Sequence, residues 1–213
     1  ENIFVENEWE LYLFPKASYT ENEDVVVSSG MEENELIRLL EEGKDVLILG
    51  TKPFKAKSTS FRIALSGRTS GNLATVVKDH PIFEKMPHSG FCGWQFAELL
   101  EGGKAVCFEA ENVPFDPIVE VVSTHKFAIK QAALFEFKAL NGRLLVSSFD
   151  FKESDPAAKW LKSEIISYMQ SDLFCPGNEI SKEGIHNLVN SSVTVTAANS
   201  NLAFNPSDKT AVR

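Results

Sequence analysis

Cysteine is scarce in this chain: 213 residues contain three, Cys92, Cys107 and Cys175. None stands in C-x-x-C spacing and the count is odd, so neither a zinc cluster nor a disulfide framework is expected to organise the fold. Basic charge is also short. Lys and Arg number 21 against 30 Asp and Glu, a net charge of −9, whereas affinity for a phosphate backbone comes from Lys and Arg. Nucleic acid is therefore excluded as a partner. No stretch approaches the roughly 18 consecutive apolar residues of a transmembrane helix, so membrane insertion is not expected. Glycine loops for phosphate are missing too. Gly30, Gly67, Gly71 and Gly102-Gly103 never fall into G-x-G-x-x-G or G-x-x-x-x-G-K-[ST] after a strand, which leaves a nucleotide without its backbone cradle. No cofactor and no metal are expected. The chain opens Glu1-Asn2-Ile3, with no Met, basic segment or apolar signal core, and this start reads as that of a processed or excised piece.

What is present is an ordinary globular composition, 43% hydrophobic and 24% charged, with 16 Phe to fill a core. Residues 1–15 alternate as a strand would, with Trp9, Leu11 and Leu13 on one side, until Pro15 stops the run. After a polar stretch, Val25-Val26-Val27 reads as a buried strand. Leu36, Ile37, Leu39 and Leu40 read as a helix closed by Gly43, and Val46-Leu47-Ile48-Leu49 as a second buried strand. Strand, helix and continuous apolar strand make a βαβ unit of a parallel sheet. Residues 61–65 are a further strand candidate, His80-Pro81 a turn and 91–100 a helix; 105–108 and 118–122 are strands. Residues 132–139 and 143–149 flank Asn141-Gly142, the pair that a type I′ hairpin turn favours. Asp155-Pro156 opens the strongest helix, an N-cap followed by Pro where no amide hydrogen is needed. A weaker helix over 182–189 and a Thr/Val strand over 193–196 precede a small-residue tail. The expected architecture is α/β, a mostly parallel sheet extended by an antiparallel hairpin, with short β flanks.

Three chemistries offer themselves. A cysteine hydrolase would use Cys92 as nucleophile, His125 as base and Glu120 to orient it. Yet Gly90-Phe91-Cys92-Gly93-Trp94 places Trp where a tight nucleophile turn needs Gly, and no histidine carries the H-x-E spacing of a class I glutaminase. The plain alternative is a packed Cys92 and a surface His125. Paired carboxylates suggest a glycosidase, and Asp150, after the strand ending at Phe149, is the best placed because ligands gather at the carboxyl ends of parallel strands. The plain reading, a loop residue before the helix, is favoured. Aromatic stacking on sugar nominates Trp94 and Trp9, but Trp94 lies on an apolar helical stripe and core packing accounts for it.

The run His80-Pro81-Ile82-Phe83-Glu84-Lys85-Met86-Pro87-His88-Ser89-Gly90-Phe91-Cys92-Gly93-Trp94-Gln95-Phe96 is distinctive. With Asp116-Pro117-Ile118-Val119, Gly142-Arg143-Leu144-Leu145-Val146-Ser147-Ser148-Phe149-Asp150 and the block from Trp160 to Pro176, it resembles the C-terminal region of Bacteroidetes family 2 (β-galactosidase-like) glycoside hydrolases. That region is similar to class I glutamine amidotransferases. The resemblance implies a flavodoxin-like three-layer sandwich over residues 24–176, preceded over 1–23 by a strand or linker from a β-sandwich and followed over 177–213 by an extension. It implies a non-catalytic accessory domain of a polysaccharide-degrading enzyme, with no catalytic residue of its own, in a periplasmic or secreted setting. The parent enzyme's other domains are the implied partners, with carbohydrate and self-association as further possibilities. The cysteine hydrolase and a carbohydrate-binding module remain the alternatives.

Overall fold

A computed structural model describes residues 5–17, 25–61, 74–123 and 129–191. Among the described residues a nine-stranded sheet runs through the centre. Its first unit is the one the apolar pattern anticipates. Strand β1 (Val25–Ser28) leads into helix α1 (Glu33–Glu41) and returns as β2 (Asp45–Leu49), parallel to β1. Leu36, Ile37 and Leu40 face inward, and Gly43, at φ +79°, lets the chain turn out of the helix.

Beyond this unit come β3 (Ala56–Ser58), β4 (Ala74–Val77), a short helix α2 (Ala97–Leu100), β5 (Lys104–Cys107) and β6 (Val119–Val122). The hairpin is β7 (Gln131–Ala139) with β8 (Gly142–Ser147), followed by α3 (Pro156–Met169), β9 (Glu179–Ile180) and α4 (Lys182–Asn190). The main strand order is β1-β2-β8-β7-β5-β3; β6 and β9 also pair with β7, and β4 pairs with β6. Pairing is parallel for β1–β2, β2–β8 and β7–β9 and antiparallel for the other five pairs. The sheet of the described residues is therefore mixed, with β7 as the strand where most directions meet. Antiparallel pairs can form through short or distant connections that leave no βαβ imprint on the sequence.

Alternation splits the sheet residues between two cores. Leu47, Leu134 and Leu145 pack with Trp160, Leu161 and Ile165 of α3. Val46, Ile48, Phe135, Phe137 and Val146 pack with Leu36 and Leu40 of α1 and with Ile185 and Leu188 of α4. The register of β6 on β7 slips between Val119 and Glu120. Ala133 and Leu134, though adjacent, both enter the first core, as a bulge requires.

Several expectations are corrected. Residues 5–17 form no strand; Trp9 is 81% exposed, and within this segment Phe14 meets the core by packing on Trp160 at 5.8 Å. The hairpin turn is displaced by one residue. Ala139 pairs with Gly142, so the loop is Leu140-Asn141, and it is Leu140 that takes a positive φ, 57°. Gly142 is needed for another reason, because a Cβ there would stand 2.1 Å from the Lys44 carbonyl oxygen. The helix expected over 91–100 begins only at Trp94, as a 3₁₀ turn, and becomes α-helical at Ala97. The packed unit runs past residue 176, since β9 joins the sheet and α4 closes the second core. Residues 62–65 and 193–196, both within expected strands, lie outside the described residues. No described helix is long and apolar enough to cross a membrane.

Candidate functional site

The segment from Asp79 to Gln95 connects β4 to α2 and carries most of the chemistry. His80 opens a 3₁₀ turn, Pro81–Phe83, by accepting the Ile82 amide hydrogen at Nδ1 (3.3 Å). Nε2 then holds the proton of the neutral ring. It faces Glu136 Oε1 at 3.8 Å, while the Tyr168 hydroxyl donates to Glu136 Oε2 at 3.0 Å. The imidazole and phenol rings meet edge to face at 4.9 Å. Burial and then the Glu136 carboxylate hold the Tyr168 phenol above its usual range. His80 also lines an open cavity of about 600 Å³ with Asp79, Glu84, Pro87, His88 and Leu173.

Pro87 and His88 are shared with a second cavity of about 610 Å³. Phe91, Gly93, Trp94 and Gln95 form part of its wall, and Glu10 and Tyr12 of the N-terminal segment complete it. Trp94 is 73% exposed, which overturns its expected place in the core. Gly93 interrupts the helical stripe, and the 3₁₀ turn that follows buries Gln95 and Phe96 and leaves Trp94 outside. Phe61 packs against the indole at 4.9 Å.

Cys92 lies between these exposed aromatics but is itself only 7% exposed and belongs to the first core. Its amide donates to the Thr75 hydroxyl at 2.8 Å. Burial pushes its thiol up to about 12, against a lowering contribution from Thr75. Glu120 stands in the middle of β6, opposite Val76. Its neighbours Val119 and Val121 both enter the core that holds Cys92, so alternation turns the Glu120 side chain to the other face. Cys92 and Glu120 are not brought together. His125 lies outside the described residues.

Asp150 follows β8, as the sequence reading expects, but its neighbourhood is an ion-pair network. Its Oδ2 is 3.6 Å from Lys152 Nζ, which also donates to Glu98 at 2.9 Å and to the Glu101 carbonyl at 3.3 Å. The Glu98 bond is the chief reason that the Lys152 ammonium is held above its ordinary value. A Cβ on Gly102 would stand 3.0 Å from Asp150 Oδ2. The arrangement ties the end of β8 to the end of α2. Among the described residues no group of three or more His, Cys, Asp or Glu side chains is poised to hold a metal. Sequence reasoning missed Glu136 and Tyr168 as partners of His80. The one available signal was Glu136 interrupting the apolar run from Ala132 to Phe137.

A family model matches residues 27–190 of the chain, that of the Domain of unknown function (DUF8487), and the chain belongs to this family. None of the curated proteins matches it.

Proposed function

We propose that this DUF8487 member is a non-catalytic accessory domain of a polysaccharide-degrading, family 2-like glycoside hydrolase, built as a flavodoxin-like three-layer sandwich. The observation that carries the reading is the enclosure of Cys92. A nucleophilic thiol needs access and a depressed pKa, and this one is buried, held protonated and on the opposite face of the sheet from Glu120. Helices cover both faces of the sheet, α3 over one and α1 with α4 over the other, which supports the three-layer arrangement. The resemblance carried by the run from His80 to Phe96 supports the glycosidase context, and with it a periplasmic or secreted setting. The domain's contribution is positional: it packs against neighbouring domains, or a second copy, and shapes the approach of substrate.

The isolated chain is the test. Incubated with glutamine and with a panel of aryl glycosides, it is expected to give no turnover above the uncatalysed background, and Cys92→Ala is expected to change nothing. Turnover at an enzymatic rate that Cys92→Ala abolishes would replace this reading with the cysteine hydrolase.

A further inference from the structure

We propose that the cavity beside Trp94 binds a neutral carbohydrate, with the exposed indole stacked on the C–H face of a sugar ring. Three observations converge on it.

The first is Trp94 itself. Fully burying a large apolar side chain such as Phe or Leu is worth about 1.5–3 kcal/mol, yet the still larger Trp94 is 73% exposed at the wall of a cavity of about 610 Å³. Phe61 packs against it at 4.9 Å and fixes its plane, while Phe91, 53% exposed, stands on the same wall. A fixed aromatic plate with an open side is suited to a flat apolar face on a ligand.

The second is Gln95. Only 6% exposed, it donates from Nε2 to the Pro87 carbonyl at 2.6 Å, which sets the orientation of the amide. Its Oε1 is enclosed in the space next to Gly93 where any other residue would put a Cβ, at 2.6 Å. Pro87, Gly93 and Gln95 all line the cavity, so the bond and the close contact brace the wall beside Trp94. A site shaped before its ligand arrives gives up less free energy on binding.

The third is charge. Glu10 forms part of the wall and accepts a hydrogen bond from the Tyr12 hydroxyl at 2.7 Å, on a chain of net charge −9. A phosphate or uronate would be repelled, whereas a neutral polyol meets acceptors for its hydroxyls in Glu10 and Ser89. An apolar plate with a few convergent polar groups is the usual composition of a small-molecule site. A neutral sugar presents both halves of that pattern. The choice of sugar among neutral ligands rests on the accessory-domain reading; the cavity and its aromatic wall do not.

The full chain is to be titrated with neutral oligosaccharides of glucose, galactose, mannose and xylose, and with oligogalacturonate, by tryptophan fluorescence and calorimetry. Saturable binding of at least one neutral sugar is expected. Trp94→Ala should weaken it about tenfold or more, a loss of about 1.4 kcal/mol or more, while Trp9→Phe should leave it unchanged. Trp94 is exposed, so its truncation does not threaten the core; Phe91→Ala, expected to weaken binding in the same direction, and a far-UV spectrum guard against misfolding. No saturable binding at millimolar sugar, binding untouched by Trp94→Ala, or preference for oligogalacturonate would each overturn the site. None of these bears on the accessory reading, which fails only on catalytic turnover.

Discussion

Cys92, Cys107 and Cys175 are all free thiols, and their surroundings set their chemistry. Cys92 and Cys107 are buried, and desolvation is the leading cause raising both; for Cys92 the value reaches about 12. A thiol of that acidity is ionised to on the order of one part in ten thousand at pH 8, and only the thiolate attacks a disulfide reagent. Cys175 is exposed. One of the three thiols is therefore expected to react promptly with Ellman's reagent at pH 8, and all three after denaturation. Two fast thiols in the folded chain, with Cys92→Ala removing one of them, would show that the pocket around Cys92 opens and would revive its candidacy as a nucleophile. The sequence foreshadowed the inertness of Cys92 only indirectly, through Trp94 in place of a turn glycine. The packed Cys92 of the plain alternative is what the structure has, but what encloses it was not legible, because that depends on β4, whose Thr75 anchors the Cys92 amide.

Elements announced by local signals are the ones the sequence discloses. Asp155 caps α3 through its Oδ1, accepting from the Ala157 amide at 3.0 Å, and Pro156 follows at the first helical position. The unit β1-α1-β2 has a 3.6-residue stripe between two continuous apolar runs. Strands β3 and β4 have no such signal. Each holds only three or four residues and is defined by its partner, β5 for one and β6 for the other. The same non-locality hides the contact between α3 and β7, where Tyr168 bonds to Glu136. This contact has a pH signature. The folded-state pKa of Tyr168 lies above the ordinary phenol value of about 10, chiefly from burial and then from Glu136. Its contribution to stability is complete below pH 10 and is lost as the pH rises from 10 toward the folded value. Urea midpoints measured from pH 8 to 11.5 are expected to fall above pH 10, and Tyr168→Phe should flatten that fall. The same substitution removes the phenol donor from a carboxylate only 13% exposed, so a loss of about 1–3 kcal/mol is expected at pH 8. An unchanged alkaline slope in the variant would assign the fall to other groups.

At the scale of the molecule, the sheet is sealed on its second face by two helices far apart in sequence. Helix α1 comes from the βαβ unit, and α4 arrives last, anchored by Ser181 accepting the Gly184 amide at 3.0 Å. His186 of α4 meets Glu33 of α1 at 2.8 Å, and Lys182 meets Glu41 at 2.9 Å. These exposed pairs orient the helix more than they stabilise it. The stabilisation comes from Ile180, Ile185 and Leu188, all buried against Val46, Phe137 and Leu144. Fully burying each aliphatic side chain contributes about 1.5–3 kcal/mol, so the three together supply roughly 5–9 kcal/mol. A typical domain has about 5–15 kcal/mol in all. A chain ending at residue 176, where the resemblance places the domain boundary, is therefore expected to lose cooperative unfolding and expose apolar surface to a dye such as ANS. In the full chain, Leu188→Ala should cost about 2–5 kcal/mol in urea denaturation. If the shortened chain instead unfolds cooperatively at the original midpoint, α4 is an appendage, and the second core closes without it.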